Sequence, residues 1–399
     1  MFPSRRITTS GGDKFRDEFS LAFDGSDDCV DCGAFTNFIA DGATTATLGC
    51  WFKSADDGSG SGDYGTFIGE RTAKNLLLGR SGTTQNLSFL YAETTGGNEN
   101  ECKTSGTNYF DQQWHFAVGT YSSGVAKIYV DGILKDTQDN SGVDTTLDCD
   151  SASLTIGASS VDEGSDREFY GNISDAFVYT SALSANDIKT IYNSREPFNH
   201  NDLKNTNTLK AWYRMGDGTF DQKATTDSDG GIVCDMTDAT LGSDLLGGRG
   251  NFTDNSDDFW TFANAGGGDN IEITGGVCEF KASGATNGAL LKTGLLTVGK
   301  MYRLDVDVLT NSGGGQRLLV DDGNPYIQIS TNVDETGSYT IFFYVTNNTT
   351  FRLYRWDNTG DAYDQNMNVD NLVIREVTGG NHGHMVNMNP NDFQGDTPN

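Results

Sequence analysis

Trp114-His115-Phe116-Ala117-Val118-Gly119-Thr120-Tyr121-Ser122-Ser123-Gly124-Val125-Ala126-Lys127-Ile128-Tyr129-Val130-Asp131-Gly132-Ile133-Leu134 is a series of short apolar runs broken by Ser, Gly and Asp. Residues 114–121 and 125–130 are rich in β-branched and aromatic side chains and have strand length. Asp131-Gly132 then separates the second run from Ile133-Leu134. Asp-Gly between apolar runs predicts a hairpin, because both central residues of a type I′ turn need positive φ. Residues 19–23, 47–52, 65–68 and 86–91 repeat the pattern upstream. Many short strands with such punctuation predict an antiparallel all-β sandwich.

One helix interrupts the strands. In Leu183-Ser184-Ala185-Asn186-Asp187-Ile188, Ser184 can cap the first turn, Asp187 can reach back to it, and Leu183 can pack on Ile188. Ile188, Ile191 and Tyr192 then share one face, which predicts a short surface helix laid on a sheet.

Length and composition bound the rest. The chain has 399 residues and a formal net charge of −29, so no surface suits nucleic acid, whose affinity for proteins comes from Lys and Arg. Gly at 50 and Pro at 5 indicate many tight turns, and 36% hydrophobic residues supply more than one core. No apolar run approaches the ~18 residues of a membrane helix, so membrane insertion is not expected. Met1-Phe2-Pro3-Ser4-Arg5-Arg6 leads into polar residues without the apolar stretch of a secretion signal, so Sec export is not expected either. The seven cysteines are odd in number and widely spread, which is not a disulfide framework. Cys29-Val30-Asp31-Cys32 lacks the companion ligands of a zinc site and reads as strand cysteines.

The order Trp114-His115-Phe116-Ala117-Val118, Ile128-Tyr129-Val130-Asp131-Gly132, Leu154-Thr155-Ile156-Gly157, Phe169 to Tyr179 and the helix resembles the concanavalin A-like, laminin G-like jelly roll. Leu21-Ala22-Phe23-Asp24-Gly25-Ser26-Asp27-Asp28 fits that family's first strand, and the resemblance spans about residues 19–215. It implies two curved antiparallel sheets and, commonly, glycan or protein recognition. A second β region follows, with strands expected at residues 252–260, 289–292, 302–309, 317–320, 326–329, 339–345, 351–356 and 369–374. Leu295-Leu296-Thr297-Val298-Gly299-Lys300-Met301-Tyr302-Arg303-Leu304 and Val369-Asp370-Asn371-Leu372-Val373-Ile374 make it similar to family 4/9 carbohydrate-binding modules with a galactose-binding-like jelly roll.

The expected organisation is therefore all-β, two antiparallel jelly-roll sandwiches in series. An N-terminal arm covers 1–18, the first sandwich 19–218, a connector with weak strands 219–249, the second sandwich 250–377, and a tail 378–399. The tail holds Asn381-His382-Gly383, a phrase that in laminin G-like proteins of marine tailed phages follows a segment similar to Trp212-Tyr213-Arg214-Met215-Gly216-Asp217. The second sandwich, lying between the two phrases, is thus expected to be an insertion, with residues 379–399 packing back on the first sandwich near residues 211–218.

No nucleophile elbow, phosphate-cradling loop or dinucleotide fingerprint occurs. His115 reads as a satisfied sheet residue, and His382 with His384 is weak evidence for a metal. Glucanases of the concanavalin A-like fold place carboxylates at alternate positions of one strand, but Glu163, Asp166 and Glu168 lie in a turn-like stretch and Asp305 and Asp307 are only two. No catalytic residues are assigned. Recognition leaves a different trace, since sugars stack on aromatic faces and bond to fixed polar groups. Phe351-Arg352-Leu353-Tyr354-Arg355-Trp356 alternates so that Arg352, Tyr354 and Trp356 share one face as a sugar platform. Calcium wants six to eight oxygens, which Asp-rich loops supply. The resemblance to carbohydrate-binding modules implies Asp370 as a structural ligand, and Asp254 and Asp257 form a second oxygen cluster.

Recognition domains without an export signal are expected on a virion, which is assembled in host cytoplasm. The leading expectation is a non-enzymatic surface protein of a tailed phage: a capsid decoration, head fibre or tail-fibre component. Its partners would be cell-surface glycans, virion proteins met through the basic arm at Arg5, Arg6 and Lys14, and copies of itself, a trimer being usual for fibres. A bacterial cell-surface adhesin is the second reading and a laminarinase-like hydrolase the third.

Overall fold

The computed structural model describes residues 17–55, 65–71, 76–82, 84–93, 99–161, 167–203, 208–217, 229–233, 235–237, 240–256, 258–263, 270–282, 288–311, 316–321, 336–345, 349–357, 365–389 and 391–398. For 229–230, 232, 270, 282, 316–321, 344, 354–357 and 365–366 it describes the backbone alone.

The chain runs through β1 (Ser20–Asp24), β2 (Cys29–Ala34), β3 (Thr45–Lys53), β4 (Thr66–Gly69), β5 (Leu77–Arg80), β6 (Leu87–Ala92) and β7 (Glu99–Lys103). Next come β8 (His115–Ser122), β9 (Val125–Val130), β10 (Ile133–Asp139), β11 (Ser153–Ile156), β12 (Tyr170–Tyr179), α1 (Ala185–Tyr192), β13 (Leu209–Tyr213) and β14 (Asp229–Val233). β15 (Thr240–Asp244), β16 (Thr261–Ala263), β17 (Asn270–Thr274), β18 (Val277–Ala282), β19 (Ala289–Lys292) and β20 (Met301–Asn311) follow. The last are β21 (Gln316–Asp321), β22 (Gly337–Tyr344), β23 (Phe351–Asp357), β24 (Gln365–Thr378), β25 (Gly383–Val386) and β26 (Phe393–Gln394).

The hairpins form as the sequence predicts: β8 pairs β9 and β9 pairs β10, both antiparallel. Asp131 and Gly132 stand at φ 52° and 73°, the left-handed conformation that a two-residue turn of this type requires. The helix carries its capping box, with the Ser184 hydroxyl accepting from the Asp187 amide and the Asp187 carboxylate accepting from the Ser184 amide.

Two units divide the chain. One comprises Met1–Asp238 with Gly380–Asn399, and the other is Ala239–Gly379. The first unit has two eight-stranded sheets, one in the order β10-β9-β8-β3-β12-β1-β26 with β13 beside β12, the other β14-β25-β2-β11-β4-β5-β6-β7. Leu21, Phe23, Val30, Phe52, Phe67, Phe89, Leu154 and Ile156 fill the space between them. The outer face of the first sheet is also apolar: Trp51, Phe116, Val118, Tyr129, Phe177 and Tyr179 pack against Ile188 and Ile191 of α1. β3, β8 and β12 of that sheet are covered on both faces, which is why they read as near-continuous apolar runs with imperfect alternation.

The second unit pairs β17-β18-β24-β20-β22, with β15 beside β24, and separately β16-β19-β23-β21. Phe280, Leu304, Phe343, Leu353, Val369 and Ile374 belong to its core.

Among the described residues of 219–249, expected as a connector with weak strands, β14 belongs to a sheet of the first unit and β15 to a sheet of the second. Two expectations need correction. Residues 252–260 form no strand among those described; Phe252 and Asn255 have φ near 49°, and Phe252 and Trp260 plug the core from turns. The arm is shorter than 1–18, because Asp17 is buried in the first unit. Residues 1–16, with Arg5, Arg6 and Lys14, and the strand expected at 326–329 lie outside the described residues. Cys29, Cys32, Cys50, Cys102, Cys149 and Cys278 are free and buried, and burial pushes the thiols up, Cys29, Cys102 and Cys149 to about 12. No helix of the described residues is long and apolar enough to cross a membrane.

Candidate functional site

The platform expected in the second unit lies on β23. Phe351 and Leu353 enter the core, as alternation requires, and Arg352 is half-buried on the opposite face, in register with Leu291. The side chains of Tyr354 and Trp356 lie outside the described residues. Leu291 packs with Ala289 and Ala263 apart from the main core.

The expected metal ligands are dispersed. Asp370 accepts the Asn371 amide at 2.7 Å and stands opposite Asp307, whose carboxylate is bonded by the Asn371 side chain. Asp254 is exposed, caps the Ser256 amide at 3.1 Å and lies 4.0 Å from Arg249. Asp257 lies outside the described residues. Among the described residues, the three carboxylates close enough to share a cation are Asp24, Asp27 and Asp28, whose oxygens lie within 4.8 Å of one another.

Those three stand on the turn from β1 to β2, placed by sheet pairing. β1 is held against β12 with Asp24 opposite Tyr170, so the first residue of β12 sits beside the carboxylate turn. Gly25, at φ 77°, packs against Tyr170 so closely that a Cβ there would lie 3.0 Å from that of Tyr170. Tyr170 is 55% exposed, which leaves its ring open to a ligand next to Asp24 and Asp27, both exposed. Asp28 is buried and accepts the Asp24 amide at 2.8 Å. Burial, helped by Asp24, Asp392 and Asp27 against the pull of the Asp24 amide, pushes its carboxyl up to about 7.

A folded pKa above the unfolded ~3.9 means that Asp28 stabilises the fold fully at low pH and that this contribution is lost as pH rises through 7. Asp28→Asn, neutral at every pH, is therefore expected to match the parent's melting temperature near pH 3, below the unfolded pKa, and exceed it increasingly up to pH 8 in calcium-free buffer. A difference of the opposite sign in differential scanning calorimetry defeats the assignment.

The histidines hold structural bonds. His115 lies between Asp131, 2.8 Å from Nδ1, and Asp111, 3.2 Å from Nε2. Burial works against its charge, but the two carboxylates outweigh burial and raise its pKa. His200 is fully buried against Phe177 and Trp212 and bonds the Tyr179 hydroxyl, and burial lowers its pKa to about 3. His382 accepts the Asp235 amide, and His384 stands opposite Asp31 across β25 and β2.

Residues 24–189 match the concanavalin A-like lectin/glucanases superfamily. The carboxylate turn, Tyr170, the hairpins and α1 up to Lys189 all fall inside the match, which gives the first unit a laminin G-like lectin fold. No curated protein is similar enough to be matched. Among solved structures, a provisionally described carbohydrate binding protein from Bacteroides ovatus is 18% identical with a TM-score of 0.41. The match covers 56% of this chain and 56% of that one, so the chain spans little more than half the length of that relative. The CBM40 of the Ruminococcus gnavus IT-sialidase is 10% identical, TM-score 0.32, covering 43% of this chain and 96% of its own. Domains LG4-5 of the mouse laminin alpha1 chain are 10% identical, TM-score 0.33, covering 97% and 88%.

The sequence puts Asp24, Asp27 and Asp28 with the opening strand of the lectin-like unit and marks no site there. The available signal was three carboxylates within five residues around a glycine; its partner Tyr170 carries no local signal at all.

Proposed function

We propose that the lectin-like unit binds a glycan at the turn of Asp24, Asp27 and Asp28, with Tyr170 as the stacking surface. The observation that carries this is an exposed aromatic residue in register with Asp24, one of a cluster of three carboxylates, in a unit of lectin fold. Sugar hydroxyls bond to carboxylates and sugar C–H faces stack on aromatic rings, so the two kinds of group are needed side by side. In this reading calcium, where bound, takes the same three carboxylates. The unit binds without transforming its ligand.

Glycan-array binding followed by titration calorimetry tests the site. Tyr170→Ala and Asp27→Asn, both exposed substitutions of small structural cost, are expected to weaken binding about tenfold or more, on the scale of a stacking contact or a charged hydrogen bond. Undiminished binding by both variants refutes the site. Binding that withstands chelation keeps the sugar and removes the calcium. Reducing-sugar release from β-glucans would replace binding with hydrolysis, the reading that the glucanase members of the superfamily favour.

We further propose that the protein displays this unit on the surface of a tailed-phage virion. The support is the phrase resemblance noted in the sequence: Trp212 to Asp217 and Asn381-His382-Gly383 lie together, the Tyr213 hydroxyl donating to the Asn381 carbonyl. Mass spectrometry of purified particles tests it; a cell-envelope location in a bacterium would favour the adhesin reading instead.

A further inference from the structure

The chain leaves the lectin-like unit after Asp238 and re-enters it at Gly380, and the departing and returning segments are tied to each other on both sides of this crossing. On the lectin-like side, Val233 of β14 pairs with Gly383 of β25. Between that pair and the crossing lies the buried Asp235. One of its carboxyl oxygens accepts the Trp212 amide at 3.0 Å, the Thr237 amide at 3.1 Å and the Thr237 hydroxyl at 2.9 Å. The other accepts the Asn381 amide at 2.9 Å. Its own amide donates to His382 Nδ1 at 3.3 Å. On the far side, Thr240 of β15 pairs with Thr378 of β24, hydroxyl to hydroxyl at 3.1 Å. Two amides bonded to the two oxygens of one carboxyl group lie within about 8 Å of each other, a gap that two or three extended residues span.

We infer that Asp235 is a clasp that holds the departing and returning chain together, so that the lectin-like unit retains its tail strands without a covalent path through residues 239–379. The second unit, already expected from the sequence to be an insertion, is then an exchangeable one. Burial makes the clasp specific: losing Asp235 strands backbone donors from three segments distant in sequence, whereas a surface loop would bond to water instead.

The test uses the full chain with protease recognition sites at residues 238–239 and after Gly379, folded first and then cut at both. Gly380–Asn399 is expected to co-elute with residues 1–238 in size exclusion, at the melting temperature of the uncut lectin-like unit. Elution of the tail as a free peptide overturns the inference. Asp235→Asn keeps an oxygen for Trp212 and Thr237 but turns N–H donors toward Asn381, and is expected to release the cut tail roughly ten- to hundredfold faster. Gly380→Ala serves if that variant does not fold: its Cβ would fall 2.9 Å from the Asp235 Cβ at φ 74°, pushing the returning chain off the clasp and leaving every bonding group in place. It is expected to accelerate release likewise, and release at the parent rate by the folded variant overturns the role of Asp235.

Discussion

Ending the chain at Gly379 is expected to abolish the fold of the lectin-like unit while the second unit still folds. The removed segment supplies β25, which joins β14 to β2 as the second strand from one edge of their sheet, and β26, which pairs β1. It also supplies Met385 and Met388, both fully buried, and Phe393, 6% exposed, all in the core between the sheets. Each such side chain contributes about 1.5–3 kcal/mol by burial, and the cavity left behind costs more. Against a typical total of about 5–15 kcal/mol, that loss removes most or all of the unit's stability. Among the described residues, the core cluster of the second unit ends at Ile374 and the buried Val377 is also retained, so its melting serves as the internal control. Calorimetry of the truncated chain should show the second unit's transition alone, and adding a synthetic peptide of residues 380–399 should restore the first. A truncated chain whose lectin-like unit melts at the parent temperature would contradict the role assigned to the tail.

Arg214→Leu is the second large effect, expected to destabilise the lectin-like unit by about 3–5 kcal/mol near pH 8, the usual consequence of stranding buried carboxylates. Arg214 bonds Asp17 at 2.8 Å and the Asp217 carbonyl at 3.0 Å, and its guanidinium lies 5.7 Å from the Trp212 ring centre. Trp212 in turn donates to the fully buried Asp175. Asp217 accepts the amides of Glu18 and Phe19 at 2.8 and 2.9 Å, which docks the start of the described chain. Burial raises the pKa of Asp17 and Asp175 and pushes Asp217 up to about 7, so one guanidinium offsets three carboxyl groups that are ill-suited to charge.

The sign of the pH dependence follows from these directions. A carboxyl with a raised folded pKa stabilises the fold below its unfolded pKa, and that stabilisation is lost as pH rises through the folded value. The deficit of Arg214→Leu should therefore be smaller near pH 5 than near pH 8. It corresponds to about 6–20 °C of melting temperature for a unit of this size. Adding Asp175→Asn should recover part of it by removing one stranded charge. Urea unfolding at both pH values reads the effect, and an equal deficit at both would point to lost packing against Trp212 instead of charge.

The strands, hairpins and helix were legible because their causes are local. Asp131-Gly132 forms its turn whatever lies around it, and Ser184 caps with a residue three positions on. Alternation likewise put Phe351 and Leu353 in a core and Arg352 outside it. Residues 252–260 misled the same reading, because aromatic runs look alike whether they pack from a strand or, as Phe252 and Trp260 do, from turns at a core's end.

What the sequence alone determined was thus the all-β class, the helix on a sheet and the concanavalin A-like fold of the first unit. The tertiary structure decided which strand lies beside which. It put Asp24 opposite Tyr170, Asp17 on Arg214 and Asn381 on Asp235, pairs separated by well over a hundred residues. The reason is physical: side-chain period and turn chemistry fix which way a residue faces, but the partner across a sheet is chosen by packing the whole core, and no nearby residue carries that choice.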